Sequence, residues 1–383
     1  MRLEPHTAGT DASREVMEPL VEAFRRAVRL GHSAVGTEHL LFALLKGESA
    51  AKELLAPTTR VCGTLMGVIA AKEDEDWVSA DGAGDAAATA GDTPDVATLL
   101  REAEWLASQR QERRGERAAP ENGRPLPTGA LAAALAHAFL RARELGASRA
   151  NETHMLMGLM HDPGNRAGEA LLERRMDRDD LIARLAVHPS ARQDGTPHTL
   201  SLDGLRNMGM LTQRGRLWGG LARTLSSGGF GSPVLPTVRL EARCQAVRLG
   251  HSHVTTVHLL LAMLAVDDQL TAAGQRLRAG LAEHSTGAEL LRGRGVTLPA
   301  AVKAAADLIP VDEDRPDSPD PTDHPAARQA MTRARLHFKE REDGSAGTTH
   351  LLTVLLADPD DPCDALLAAV GVDTGELRRT LGH

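Results

Sequence analysis

His39–Leu45 reads HLLFALL, and the phrase returns three times, as HMLMGLM at His154–Met160, HLLLAML at His258–Leu264 and HLLTVLL at His350–Leu356. Four occurrences in one chain are the signature of an internal repeat, so the fold is read as copies of one small unit. Upstream, Ala27, Ala142 and Ala246 each stand twelve residues before the first three histidines and open AxxLGxS. In the fourth copy the interval from Ala334 to His350 is four residues longer. Downstream, a small residue precedes a Leu-Leu pair in every copy: Ala51 before Leu54-Leu55, Gly168 before Leu171-Leu172, Gly287 before Leu290-Leu291 and Cys363 before Leu366-Leu367.

Each copy reads as four short helices. In copy one, Leu20, Phe24, Ala27 and Val28 recur at helical spacing, and the stripe stops at Gly31, where a left-handed C-cap is expected. Thr37 is expected to supply the N-cap hydroxyl of the second helix, with Glu38 placing a negative charge at that helix's positive end. His39–Leu45 is apolar almost all round and marks the buried centre of the unit. Ser49–Leu55 and Thr59–Ala71 read as the third and fourth helices. Aromatics are only 2% of the chain, with no Tyr, so helix formers dominate over the residues that favour strands. The expected class is all-α: four copies of a four-helix repeat, each too small to be secure alone and therefore paired.

The intervals choose the pairs. Residues 189–235 hold nine glycines between Gly195 and Gly231 and read as a flexible linker, with a weak helix possible over Leu202–Leu225. Domain 1 is then expected over 14–188, with repeats at about 14–72 and 128–188, and domain 2 over 236–383, with repeats at about 236–309 and 324–383. Within domain 1, Asp74–Pro94 is rich in Ala, Gly and Asp, Val96–Ala107 reads as a short helix, and Arg110–Pro127 is charged. Within domain 2, residues 310–325 contain five Pro and six acidic residues and read as a disordered loop. Both insertions are expected to lie outside the packed cores.

Composition excludes several classes. Forty-four basic against 52 acidic residues give a net charge of −8, which argues against phosphate-backbone binding and so against a nucleic-acid partner. The longest apolar run, Leu259–Val266, is far short of the ~18 residues of a membrane span, and the N-terminus lacks a signal-peptide pattern. Cys62, Cys244 and Cys363 are widely spaced without a CxxC, so neither a disulfide framework nor a Cys-zinc site is indicated, and a reducing cytoplasm fits. No HExxH or GxSxG occurs. None of the five Lys follows Gly, so there is no P-loop, and no cofactor and no enzymatic activity are expected.

Copy one, AVRLGHSAVGTEHLLFALLKGESAAKELL, resembles the repeat of the N-terminal domain of Clp (Hsp100) chaperones, whose phrase is AxxLGHxxxGTEHLLxxLL. The resemblance spans about 14–188 and 236–383. It implies a pseudo-twofold pair of four-helix repeats in each domain, acting as a non-catalytic docking platform. The partners it implies are substrates, adaptors or the Clp ATPase and, as in some bacterial members, phosphorylated arginine or Clp-directed cyclic peptides. Without AAA+ modules, the expectation is a stand-alone binding protein that modulates Clp proteolysis.

The same resemblance points to Thr37 and Glu38 as ligand-binding residues, with the carboxylate gripping a guanidinium and the helix start favouring phosphate. Thr153, Val257 and Thr349 replace the Glu in copies two to four, while Glu152 lies one position early. The repeated His39, His154, His258 and His350 read as packed residues whose ring nitrogens bond to neighbouring backbone or side chains. His251, His253 and His258 form the densest cluster, and a metal-dependent hydrolase is the alternative that it raises.

Overall fold

The computed structural model describes residues 13–73, 77, 81, 94–115, 124–212, 234–311, 320–340 and 345–382. It is all-α apart from two-residue strands, and it divides into two compact units, 1–198 and 199–383.

Unit 1 opens with α1 (Arg14–Leu30), which turns Val16, Met17, Leu20, Phe24 and Ala27 inward. Ser13 Oγ accepts from Val16 N–H to start it, and Gly31, at φ 76°, donates back to Ala27 and Val28 to end it. That left-handed conformation is open to glycine at no steric penalty, which is why the stripe stops there. Copy one continues with α2 (Thr37–Lys46), α3 (Ala50–Leu55) and α4 (Thr59–Lys72). After α5 (Pro94–Arg114), copy two supplies α6 (Gly129–Glu144), α7 (Glu152–Leu159), α8 (Arg166–Glu173) and α9 (Arg178–Val187). The strands β1 (Ala34–Val35) and β2 (Leu126–Pro127) pair in parallel and tie the turn after α1 to the turn before α6. Packing between the copies is reciprocal: α2 meets α8 and α7 meets α3.

Unit 2 repeats the plan with α10 (Leu200–Asn207), α11 (Val234–Leu249), α12 (Thr256–Ala272), α13 (Ala279–Ala282), α14 (Gly287–Arg292) and α15 (Leu298–Leu308). The fourth copy follows as α16 (Pro325–Glu340), α17 (Thr348–Leu355), α18 (Pro362–Ala369) and α19 (Thr374–Leu381). Strand β3 (His253–Val254) pairs in parallel with β4 (Thr322–Asp323), α12 meets α18, and α17 meets α14. In both units the phrase helices are buried all round: Leu40, Leu41 and Leu45 in α2 and Leu260, Leu261 and Leu264 in α12 have no exposed surface. No described helix is long and apolar enough to cross a membrane. All three cysteines are buried and free.

Three expectations change. The first insertion does not lie outside the core: Val96, Leu99, Ala103, Trp105 and Leu106 of α5 are buried, and α5 packs along α1. The two ends of the stretch read as a linker are structured. Pro189–Arg192 forms a 3-10 turn, and Thr196 O accepts from Arg14 N–H within unit 1. On the other side Leu202, Leu205 and Leu211 form a cluster with Val266 and Leu270 in unit 2, while residues 213–233 lie outside the described residues. Finally, the acidic Pro-rich loop ends in β4, so 322–323 are ordered, and 312–319 lie outside the described residues.

The α6–α7 crossing depends on a missing side chain, because a Cβ on Gly158 would sit 2.1 Å from the Ala134 carbonyl oxygen. Gly158→Ala is therefore expected to lower unfolding stability by about 1–3 kcal/mol through overpacking. Gly204→Ala, in α10 with open space around it, should raise stability by about 0.5–1 kcal/mol. Urea denaturation of the two variants checks both signs.

Candidate functional site

A helix that starts inside the protein cannot leave its first N–H groups to water. At the start of α2 the N-cap is Gly36, and Gly36 N–H donates to His39 Nδ1 at 3.1 Å. The same bond recurs in every copy: Asn151 N–H to His154 Nδ1 (3.0 Å), Thr255 N–H to His258 Nδ1 (2.9 Å) and Gly347 N–H to His350 Nδ1 (3.2 Å). A backbone N–H can only donate, so Nδ1 is the acceptor and the neutral ring carries its proton on Nε2. That proton is also used: His39 Nε2 lies 2.9 Å from His32 Nδ1, His258 Nε2 2.9 Å from His251 Nδ1, and His154 Nε2 2.9 Å from Ala191 O. The ring of His350 faces that of His284, with centroids 5.5 Å apart.

Two of these histidines, His258 and His154, are held neutral. Burial and then the neighbouring His251 ring push His258 from 6.5 down to about 3. Burial also lowers His154, against the bond to Ala191. The cluster His251, His253 and His258 does not converge, since both nitrogens of His258 are committed and the exposed His253 bonds to Thr322 Oγ1 at 2.8 Å. Among the described residues no group of three or more His, Cys, Asp or Glu is placed to hold a metal ion.

Thr37 does not cap α2. It is the first residue of the helix, and its hydroxyl bridges two partners distant in sequence, accepting from Ala167 N–H (3.1 Å) and donating to Asp81 Oδ1 (2.9 Å). The expected cap failed because a Thr near a helix start is read locally, whereas this one faces the N-terminus of α8. There the two helix starts converge on Asp81. Its Oδ2 accepts from Thr37 N–H (2.8 Å) and Thr128 Oγ1 (3.3 Å), and its Oδ1 accepts from Arg166 N–H (2.8 Å). Two helix N-termini thus hold one carboxylate, the arrangement that suits an oxyanion.

Glu38 lies beside it, 1% exposed. Its Oε1 accepts from Arg166 Nη1 at 2.9 Å and also lies 3.0 Å from His39 Nδ1, a contact that attracts only with a protonated ring. Among the described residues, its Oε2 is buried without a hydrogen-bond partner. Burial raises the Glu38 carboxyl, while the Arg166 guanidinium and, where its ring is protonated, His39 draw it below the ordinary value. Asp81 moves the other way, raised by burial and then by the Glu38 charge despite its backbone donors. Arg166 also donates to Trp77 O (3.0 Å), and the Trp77 ring donates from Nε1 to Glu169 Oε2 (2.6 Å).

At the Glu38 position itself the other copies carry uncharged groups. Thr153 bonds to Ser190, Val257 is buried, Thr349 accepts from Thr286 N–H and Thr348 from Gly287 N–H. Glu152 lies toward Ser49 and is raised by burial. Asp81, Arg166 and Trp77 were not singled out by sequence. A signal existed for Arg166, because the third helices begin at Ala50, Arg166, Gly287 and Pro362, and only the second start is charged.

Residues 11–117 match the family model described as the Clp repeat (R) N-terminal domain. Among solved structures, the chain is similar to the N-terminal domain of the caseinolytic protease associated chaperone ClpD from Arabidopsis thaliana. The sequence identity is 16%, the match covers 38% of this chain and 91% of that chain, and the TM-score is 0.29. No curated protein matches the sequence.

A neutral His258 makes stability depend on pH with a definite sign. Its folded value, about 3, lies below the unfolded 6.5, so the unfolded chain binds the extra proton. The stabilisation is complete above pH 6.5 and is lost as pH falls from 6.5 toward 3. Between pH 7 and pH 5 this one group should remove about 2 kcal/mol. His258→Gln keeps an acceptor for Thr255 N–H but does not titrate, and it should flatten the slope in urea titrations at the two pH values.

Proposed function

We propose that this chain, whose residues 11–117 carry a Clp repeat N-terminal domain, is a non-catalytic cytoplasmic module that binds proteins or peptides at the Thr37–Glu38 site. In this reading it modulates a Clp protease by engaging substrates, adaptors, the Clp ATPase or Clp-directed cyclic peptides. The observation that carries the reading is a buried carboxylate that holds a guanidinium, set beside two helix N-termini that hold an anion. Such a site suits a ligand with a cationic and an anionic group close together. Copies two to four lack the acid, so unit 1 is the binding unit and unit 2 has changed its ligand or is structural.

A second reading, recognition of arginine-phosphorylated proteins by unit 1, is favoured by one specific feature. Glu38 Oε1 already takes the Nη1 donor of Arg166, which is the contact that a ligand guanidinium would make.

The test is an affinity capture from native cytoplasm with the wild-type chain and Glu38→Gln, quantified by mass spectrometry. Clp components, adaptors or protease substrates should be retained by the wild type and fall about tenfold in the variant, the loss expected for one charge-assisted contact of about 1.4 kcal/mol. If nothing Clp-related is enriched by either protein, the reading is wrong. Dependence of the captured set on arginine phosphatase treatment separates the second reading from the first.

A further inference from the structure

The proposed binding site is already filled by the chain itself. Donors from two helix starts are spent on one side chain: Thr37 N–H, Thr37 Oγ1 and Arg166 N–H bond to the Asp81 carboxylate, joined by Thr128 Oγ1 from the cap of α6. Both helices are long enough to carry a terminal field, α2 with 10 residues and α8 with 8. Asp81 belongs to neither repeat. It lies in the stretch between them and reaches α8 across 85 positions of sequence.

The occupancy is imperfect in two ways. Among the described residues Glu38 Oε2 is buried with no hydrogen-bond partner, so a donor is missing from the pocket. The two carboxylates also crowd one backbone position, because a Cβ on Gly36 would lie 2.2 Å from Glu38 Oε2 and 2.8 Å from Asp81 Oδ2. Like charges that close repel, and the Arg166 guanidinium bonds to Glu38 whereas Asp81 receives only the Arg166 backbone N–H. A ligand that brings its own oxyanion together with an N–H donor would satisfy the helix starts and the orphaned Glu38 oxygen at once, which Asp81 cannot do.

We propose that Asp81 is an intramolecular competitor for the site, its carboxylate holding the oxyanion position at the joined N-termini of α2 and α8, so that a phosphoryl-bearing ligand binds only by displacing it. This rests on the reading of Thr37–Glu38 as a ligand site. Asp81 is then a regulatory contact: anything that draws it away exposes the site, and the resting chain is held partly closed.

The experiment uses the full chain and free phosphoarginine as probe, with binding measured by calorimetry for the wild type, Asp81→Asn and Asp81→Ala. Removing the competing carboxylate should tighten binding at least tenfold in Asp81→Ala, with Asp81→Asn between the two because its amide keeps one acceptor. Inorganic phosphate should also raise the melting temperature of Asp81→Ala more than that of the wild type, by refilling the vacated donors. Equal affinity in wild type and variants overturns the competitor while leaving the site reading intact. Weaker binding in the variants makes Asp81 part of the ligand's own contacts and also overturns it. If none of the proteins binds the probe, the site reading falls and the competitor with it. Should Asp81→Ala lose its helical circular dichroism, Asp81→Asn carries the same comparison.

Discussion

The central helix of each repeat begins in the middle of a core, and its N-terminal N–H groups must be satisfied without water. The histidine at the third helical position does this by accepting the N-cap N–H on Nδ1. An unpaired buried N–H costs about 1–3 kcal/mol, so four such bonds are a condition for burying four helix starts. The bond has a second consequence: a ring that accepts on Nδ1 must place its Nε2 proton. Copies one and three use a histidine seven positions earlier, while copy two uses the Ala191 carbonyl. That last bond draws Pro189–Arg192 onto unit 1, which is why the unit runs past the fourth helix of its second repeat.

Much of this was legible because the repeat phrase contains its own cap. The helix starts and stops of copy one, from the Gly31 terminator to the Ser49 cap of α3, follow from local residues whose partners lie three or four positions away. Contacts distant in sequence were not legible. Thr37 looks like a cap until the Ala167 N–H, 130 positions on, is seen to use its hydroxyl. The apolar stripe of α5, Val96, Leu99, Leu100, Ala103 and Ala107, is visible as a helix. Its place in the core is not visible, since that depends on the free flank of α1.

The ends of the glycine-rich stretch show the same limit from the other side. Gly195 passes so close to Ser13 that a Cβ would lie 2.3 Å from the Ser13 Cβ. A glycine there serves close packing rather than flexibility, and composition does not distinguish the two uses. Thr199 to Leu211 likewise carries enough Leu to join a core once α12 is extended to Ala272 and offers Val266 and Leu270.

Charge separates the Glu38 junction from its three counterparts. Burying Glu38 and Asp81 together would be prohibitive in isolation. Arg166 supplies one positive charge, and each helix start contributes about half a charge, so the pocket is close to neutral as it stands. Neutrality constrains what can enter. A ligand that displaces Asp81 leaves the two helix starts facing it, and only a group bearing negative charge restores the balance. A neutral or purely cationic peptide would leave those N–H groups unpaired. The junctions of copies three and four, closed by Val257 and by the Thr348 and Thr349 hydroxyls, carry no such requirement and no such selectivity. On the proposed reading, selectivity for an anionic partner would belong to unit 1, through Glu38, Arg166 and Asp81 acting together, and not to the junctions where Val or Thr stands in place of the acid.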